Sequence, residues 1–177
     1  MPNNRTCPTL LEPMKVNIHH IFISPGHNFI GHYGKPPGTN ASEPLESVQC
    51  IAGKGLVGDR FFEHETDYKG QITFFDMAVF NRMVKTLGAD KVAPNAMRRN
   101  VLIEGIDLNS LIGKAFQIDN LQFEGSEECS PCFWMNEAVA DGALDFLVNQ
   151  GGLRARILTD GWLNTGQADL TILSESS

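Results

Sequence analysis

Arg98-Arg99-Asn100-Val101-Leu102-Ile103-Glu104-Gly105-Ile106-Asp107-Leu108, then Gly113-Lys114-Ala115-Phe116-Gln117-Ile118, then Cys129-Ser130-Pro131-Cys132: these three runs decide how the chain is read. Val101 to Ile103 reads as a strand entered from Arg98-Arg99-Asn100. Ala115–Ile118 and Leu121–Phe123 read as a hairpin across Asp119-Asn120. The arginine pair is suited to an anion. The closing cysteine is suited to a soft metal or a sulfur atom.

Working outward, Val16 to Ile23 alternates and reads as a strand, with His19 and His20 inside it. Residues 1–15 read as a flexible arm and 16–177 as one domain. Ser24 to Pro44 is a long loop punctuated by Gly and Pro. Its His27, Phe29, His32 and Tyr33 either line a pocket rim or form a surface flap. Leu45 to Ile51 is a second strand. After it, Gly53-Lys54-Gly55-Leu56-Val57-Gly58-Asp59-Arg60 lets backbone turn sharply or approach a ligand, without the Lys-Ser/Thr ending of a Walker loop. Gln71 to Phe75 is a strand, and Asp76 caps a helix to Leu87 with Gly88 as its stop. Residues 136–149 suggest another helix. Leu153–Leu158 and Trp162-Leu163 flank Asp160-Gly161, a two-residue hairpin signal, and Ala168 to Leu173 is the last strand. No βαβ alternation stands out. The pattern predicts a mainly β fold, an antiparallel barrel with peripheral helices.

The net charge of −7 argues against nucleic acid as a partner. No apolar run approaches the ~18 residues of a membrane span, and the first residues lack the apolar core of a signal peptide. The expectation is a cytoplasmic protein away from membranes. Four cysteines, at 7, 50, 129 and 132, then read as free thiols, metal ligands or redox groups rather than disulfides. Cys129 and Cys132 spell C-x-x-C, but a zinc site needs a second pair of ligands that the sequence does not offer at matching spacing. Two inert buried cysteines are the competing reading.

Gly-Leu-Val-Gly-Asp-Arg at 55–60, the Arg98–Leu108 run, residues 111–118, Pro131-Cys132 and Gly-Leu-Arg-Ala-Arg-Ile-Leu-Thr-Asp-Gly at 152–161 together resemble the MOSC domain. That domain forms the C-terminus of molybdenum cofactor sulfurases. The resemblance runs over about residues 16–173, in the family's order. It implies a β-barrel of the pyruvate-kinase type and makes Cys132 the functional cysteine. In amidoxime-reducing and hydroxylaminopurine-resistance relatives, that cysteine ligates molybdenum. In sulfurases the domain is thought to carry sulfur. The implied cofactor is the molybdenum cofactor, a molybdopterin. For its phosphate, Arg98, Arg99, Arg154 and Arg156 are candidates. Asn100 is a candidate donor to an oxo group or the pterin, and Asp59 and Arg60 form either an ion pair or part of the site. No pyridoxal-phosphate lysine motif is evident, so the resemblance is to a stand-alone MOSC protein.

Three functions then compete. The first is a molybdenum-dependent reductase of N-hydroxylated compounds, fed by a separate reductase because no flavin or iron–sulfur motif is present. The second is a sulfur carrier with a persulfide on Cys132, supplied by a cysteine desulfurase. The third is a binding module or structural protein with an inert Cys132.

Overall fold

The structure is a computed structural model that describes residues 12–29 and 35–173. The first eleven residues of the expected arm, together with His32 and Tyr33 of the long loop, lie outside the described residues.

Seven strands close into a barrel. They are β1 (Met14–Ile23), β5 (Ile72–Asp76), β6 (Val101–Glu104), β7 (Ala115–Ile118), β8 (Leu121–Glu128), β9 (Leu153–Ile157) and β11 (Gly166–Ile172). Around the barrel the order is β1-β11-β7-β8-β9-β5-β6, with β6 returning to β1. Closure leaves no open edge among these strands. β2 (Glu43–Leu45) adds to β1, while β3 (Ser47–Ile51), β4 (Gly55–Leu56) and β10 (Gly161–Asn164) form a separate three-stranded sheet.

Period-2 alternation sets the two sides of the barrel wall. In β9, Leu153, Ala155 and Ile157 are buried, while Arg154 and Arg156 alternate with them on the outside. The barrel interior is filled by Phe74, Phe116 and Phe123, whose ring centroids lie 5.4–5.9 Å apart, with Ile18, Val101, Ile103 and Leu170. A second core lies outside the wall. There Phe22, Phe75 and Leu102 are covered by α1 (Met77–Thr86), α2 (Trp134–Ala138) and α3 (Ala143–Phe146).

Three local expectations are corrected. Asp160-Gly161 does not join paired strands: β10 pairs with β3, whereas β9 pairs with β5 and β8. The Asp160 carboxylate instead accepts from the Ala52 amide at 2.7 Å, so the turn residue pins a distant strand. The 136–149 helix is two short helices, because Gly142 takes a φ of +90° between them. One βαβ unit does occur: β5, α1 and β6 form a parallel pair within an otherwise antiparallel barrel. Among the described residues, no helix is long and apolar enough to cross a membrane.

Candidate functional site

A pocket of about 280 Å³ opens where β1 and β8 end and β6 and β9 begin. It gathers side chains far apart in sequence. His27 and Phe29 come from the loop after β1, Arg60 and Phe61 from the glycine-rich turn after β4, and Arg98 and Arg99 from the approach to β6. Cys129, Cys132 and Trp134 come from the run after β8, and Arg154 from β9. A second hollow of about 290 Å³ adjoins it and shares Asn28, Phe29 and Arg98. The combined space is in the range that holds a small organic ligand.

Beneath the pocket lies a closed polar network. The Asp59 side chain is 1% exposed. Its Oδ1 accepts from the Ser24 amide at 3.0 Å, Asn100 Nδ2 at 3.3 Å and Arg60 Nη1 at 3.4 Å, and its Oδ2 accepts from the Phe61 amide at 3.1 Å. Buried carboxylates need such partners. Asn100 sits behind the pocket: Oδ1 accepts from the Thr73 amide and hydroxyl at 3.0 and 2.9 Å, and Nδ2 also donates to the Phe22 carbonyl. Its amide is therefore engaged internally. The glycines of the 53–60 turn, with φ of +71°, +123° and +88°, make the backbone path that brings Asp59 and Arg60 here.

The two arginines of the pair have different environments. Arg98 stands in the left-handed region (φ +50°), and its Nη2 donates to Ser24 Oγ at 3.0 Å and the Gly26 carbonyl at 2.9 Å. Its Nε and Nη1 have no hydrogen bond among the described residues. Arg99 is a clamp. It donates to the carbonyls of Gly151 (3.2 Å), Met97 (3.2 Å) and Cys129 (3.1 Å). Arg60 lies over the Phe61 ring at 4.7 Å and reaches the Arg98 carbonyl at 3.5 Å.

The pocket is positive in a chain of net charge −7. Four guanidiniums line it and, among the described residues, no carboxylate does. Burial lowers the Arg60 pKa, with Arg99 adding to the shift and Asp59 opposing it. Arg98 is lowered by burial and by Arg60, again against Asp59. Burial also acts on Arg154, but Cys129, Tyr68 and Glu127 outweigh it and raise that pKa. Asp59 pairs with Arg60 and Glu127 with Arg154, and the excess of guanidinium charge that remains favours an oxyanion.

Cys132 is exposed at the mouth, and Cys129 is buried beside it. Gly151 makes that approach possible: a Cβ there would stand 2.4 Å from the Cys129 carbonyl and 2.9 Å from Pro131 Cδ. Arg156 faces outward as Arg154 does, but lies away from the pocket, paired with Asp67 at 2.7 Å and Glu124 at 3.0 Å. His19 pairs with Glu104 at 2.8 Å and His20 stacks on Phe22, both away from the pocket. Phe61 and Trp134 carried no signal of their own in the sequence, although each stands one or two positions from a residue that did.

No curated protein matches the chain. Among solved structures it resembles the YuaD protein from Bacillus subtilis, with a TM-score of 0.72 at 16% identity over 92% of this chain and 99% of that one. It also resembles YiiM from Escherichia coli, with a TM-score of 0.63 at 16% identity, covering 93% and 72% of the two chains. YiiM from Geobacillus stearothermophilus gives 0.62 at 14% identity, covering 90% and 75%. At these identities the likeness is one of fold. A model of the MOSC domain matches residues 60–168, which include Arg60, the arginine pair, Cys132 and Arg154, and the chain belongs to the MOSC domain family.

Proposed function

We propose that this pocket binds the molybdenum cofactor and that the chain is a molybdenum-dependent reductase of N-hydroxylated compounds, acting in the cytoplasm with a separate reductase as electron donor. The observation that carries the reading is the placement of an exposed cysteine in a pocket lined by four arginines. The donor set fits the group. A thiolate is a soft ligand suited to a metal already held by dithiolene sulfurs. Arg60, Arg98 and Arg154 would present guanidinium N–H groups to a phosphate, and Phe29 and Trp134 would add aromatic surface for a pterin. Among the described residues no three His, Cys, Asp or Glu side chains gather as a metal site, so the protein would contribute Cys132 and the cofactor the remaining ligands.

When bound, the cofactor supplies oxygen-atom transfer coupled to two electrons. The chain's part is positioning. Cys132 would hold the metal at the mouth, where a substrate can reach it. Arg99 fixes the backbone that presents Cys132, through Cys129 and Gly151. Asp59 and Asn100 hold the turns that aim Arg60 and Arg98. The test is metal content followed by turnover: protein from a molybdopterin-producing host should carry molybdenum through Cys132 and reduce N-hydroxylated substrates with a supplied reductase.

One observation favours a second reading. Cys129 lines the same pocket as Cys132, so a persulfide on Cys132 would have a second thiol nearby that could resolve it to a disulfide and release the outer sulfur as sulfide. Sulfane sulfur on Cys132 after incubation with a cysteine desulfurase, in protein without molybdenum, would select this reading.

A further inference from the structure

Thiols aside, His27 is the one described pocket-lining side chain whose ordinary charge change falls near neutral pH. Its ring meets the Phe61 ring edge-on, with centroids 5.0 Å apart. Among the described residues its ring nitrogens have no hydrogen-bond partner. The charged and titratable groups that face it are Arg60, His64, Arg98 and Asp59. Three of the four can be cationic. Burial first, then Arg60, His64 and Arg98, lower its pKa, and Asp59 opposes them. The free pocket therefore favours the neutral imidazole form of His27. An anion beside Arg60 and Arg98 reverses that balance, because an opposite charge favours the protonated ring.

We propose that His27 is the proton-coupled member of the anion site: a doubly charged oxyanion, of the sulfate or phosphate-monoester class, binds at Arg60 and Arg98 and draws one proton from solvent onto the His27 ring. This rests on the anion pocket of the proposed function and adds a ligand class and a pH dependence to it. The balance is simple. Neutral imidazole, one solvent proton and the dianion give an imidazolium–dianion pair, with no covalent bond to carbon or sulfur changed. Arginine alone would give no such dependence, since it stays charged throughout. Below the free-pocket pKa the ring is already charged, and above the bound-state pKa it stays neutral. Between the two, affinity rises as pH falls, by up to about tenfold per pH unit.

The probe is sulfate, which keeps both charges across about pH 5 to 8, the range in which histidine titrates. Calorimetry on the full chain, from a host unable to make molybdopterin, in two buffers of different ionisation heat, counts protons taken up per sulfate. Wild type should take up close to one proton at the most favourable pH. His27→Gln should still bind sulfate, within about tenfold of wild type, with uptake near zero. Ring proton resonances of His27 should titrate at higher pH once sulfate is present, and Arg98→Gln should weaken sulfate binding. Two results overturn the proposal while leaving the anion pocket intact: sulfate binding without proton uptake in wild type, or equal uptake in His27→Gln. Failure of wild type to bind sulfate at all overturns both. Cofactor-loaded protein separates the anion's sources. If the cofactor's phosphate is the natural occupant, loaded protein no longer binds sulfate and His27 already titrates high. If a free oxyanion is, loaded protein binds sulfate with the same uptake. Either result supports the coupling.

Discussion

Arg99 Nη2 donates to the carbonyl oxygen of Cys129 at 3.1 Å, tying the arginine pair before β6 to the cysteine run that leaves β8. Arg99 Nε holds Gly151 at 3.2 Å and Nη1 holds Met97 at 3.2 Å, so one guanidinium fixes three backbone segments. The planar fork of arginine suits this work, and a lysine ammonium cannot copy it.

Replacing Arg99 by Ala should therefore lower stability by about 1–3 kcal/mol, the usual cost of losing hydrogen bonds to a charged group. Arg99→Lys should recover only part of the loss. Urea unfolding measures both. Molybdenum content of the two variants should follow the same order, because the clamp positions the Cys132 run.

Gly151→Ala tests the same run from the other side. The added methyl would stand 2.4 Å from the Cys129 carbonyl, against backbone that cannot swing away as a side-chain end would. Overpacking of this kind costs about 1–3 kcal/mol. The change should also displace Cys132, read as an altered alkylation rate of that thiol and loss of bound metal. A variant with wild-type stability and wild-type Cys132 reactivity would show that this packing does not position the cysteine.

Cys50 provides a pH test independent of the pocket. It is fully buried on β3, and burial pushes its thiol up to about 12, from 9.0. The unfolded chain loses this proton near pH 9, whereas the folded chain keeps it. Stability from this residue is thus complete below pH 9 and falls as pH rises toward 12, by up to about 1.4 kcal/mol per unit. Urea unfolding between about pH 9 and 11 should show wild type losing stability faster than Cys50→Ala. Parallel curves for the two proteins would contradict it. Native Cys50 should also resist alkylating reagents that modify the exposed Cys132.

Much of the barrel was legible because its strands announce themselves locally. Ala115–Ile118 has the boundaries read from sequence, and Asp76 caps α1 as read, accepting from the Ala78 amide at 2.8 Å. β8 runs on through Glu124 to Glu128, past the expected end at Phe123. Its continuation is polar and contains Gly125, so alternation fades. What extends it is the neighbouring strand, where Arg156 pairs with Glu124 and Arg154 with Glu127 across the outer face. Cross-strand ion pairs are invisible to a one-dimensional pattern. The Asp160-Gly161 turn misled for the same reason, since local turn chemistry does not say which strands will pair.

In the pocket, the sequence supplied the chemical types and could not assign their roles. Arg98 and Arg99 look equivalent as a dipeptide. In the fold Arg98 lines the pocket and bonds through Nη2 to Ser24 and Gly26, whereas Arg99 is committed to three backbone carbonyls. Arg154 and Arg156 share a strand face and both are ion-paired, yet only Arg154, at the start of β9, reaches the pocket, while Arg156 lies two residues further along with Asp67 and Glu124. Asn100 shows how burial decides a role: at 3% exposure its amide joins Thr73, Phe22 and Asp59 rather than lining the pocket.

The most direct test of the central claim is molybdenum per monomer, by elemental mass spectrometry, in wild type and Cys132→Ala from a molybdopterin-producing host. Near-stoichiometric metal in wild type and its loss in the variant, with both proteins folded, is the expected result. Absence of metal from both, or equal metal in both, would contradict a cofactor held through Cys132.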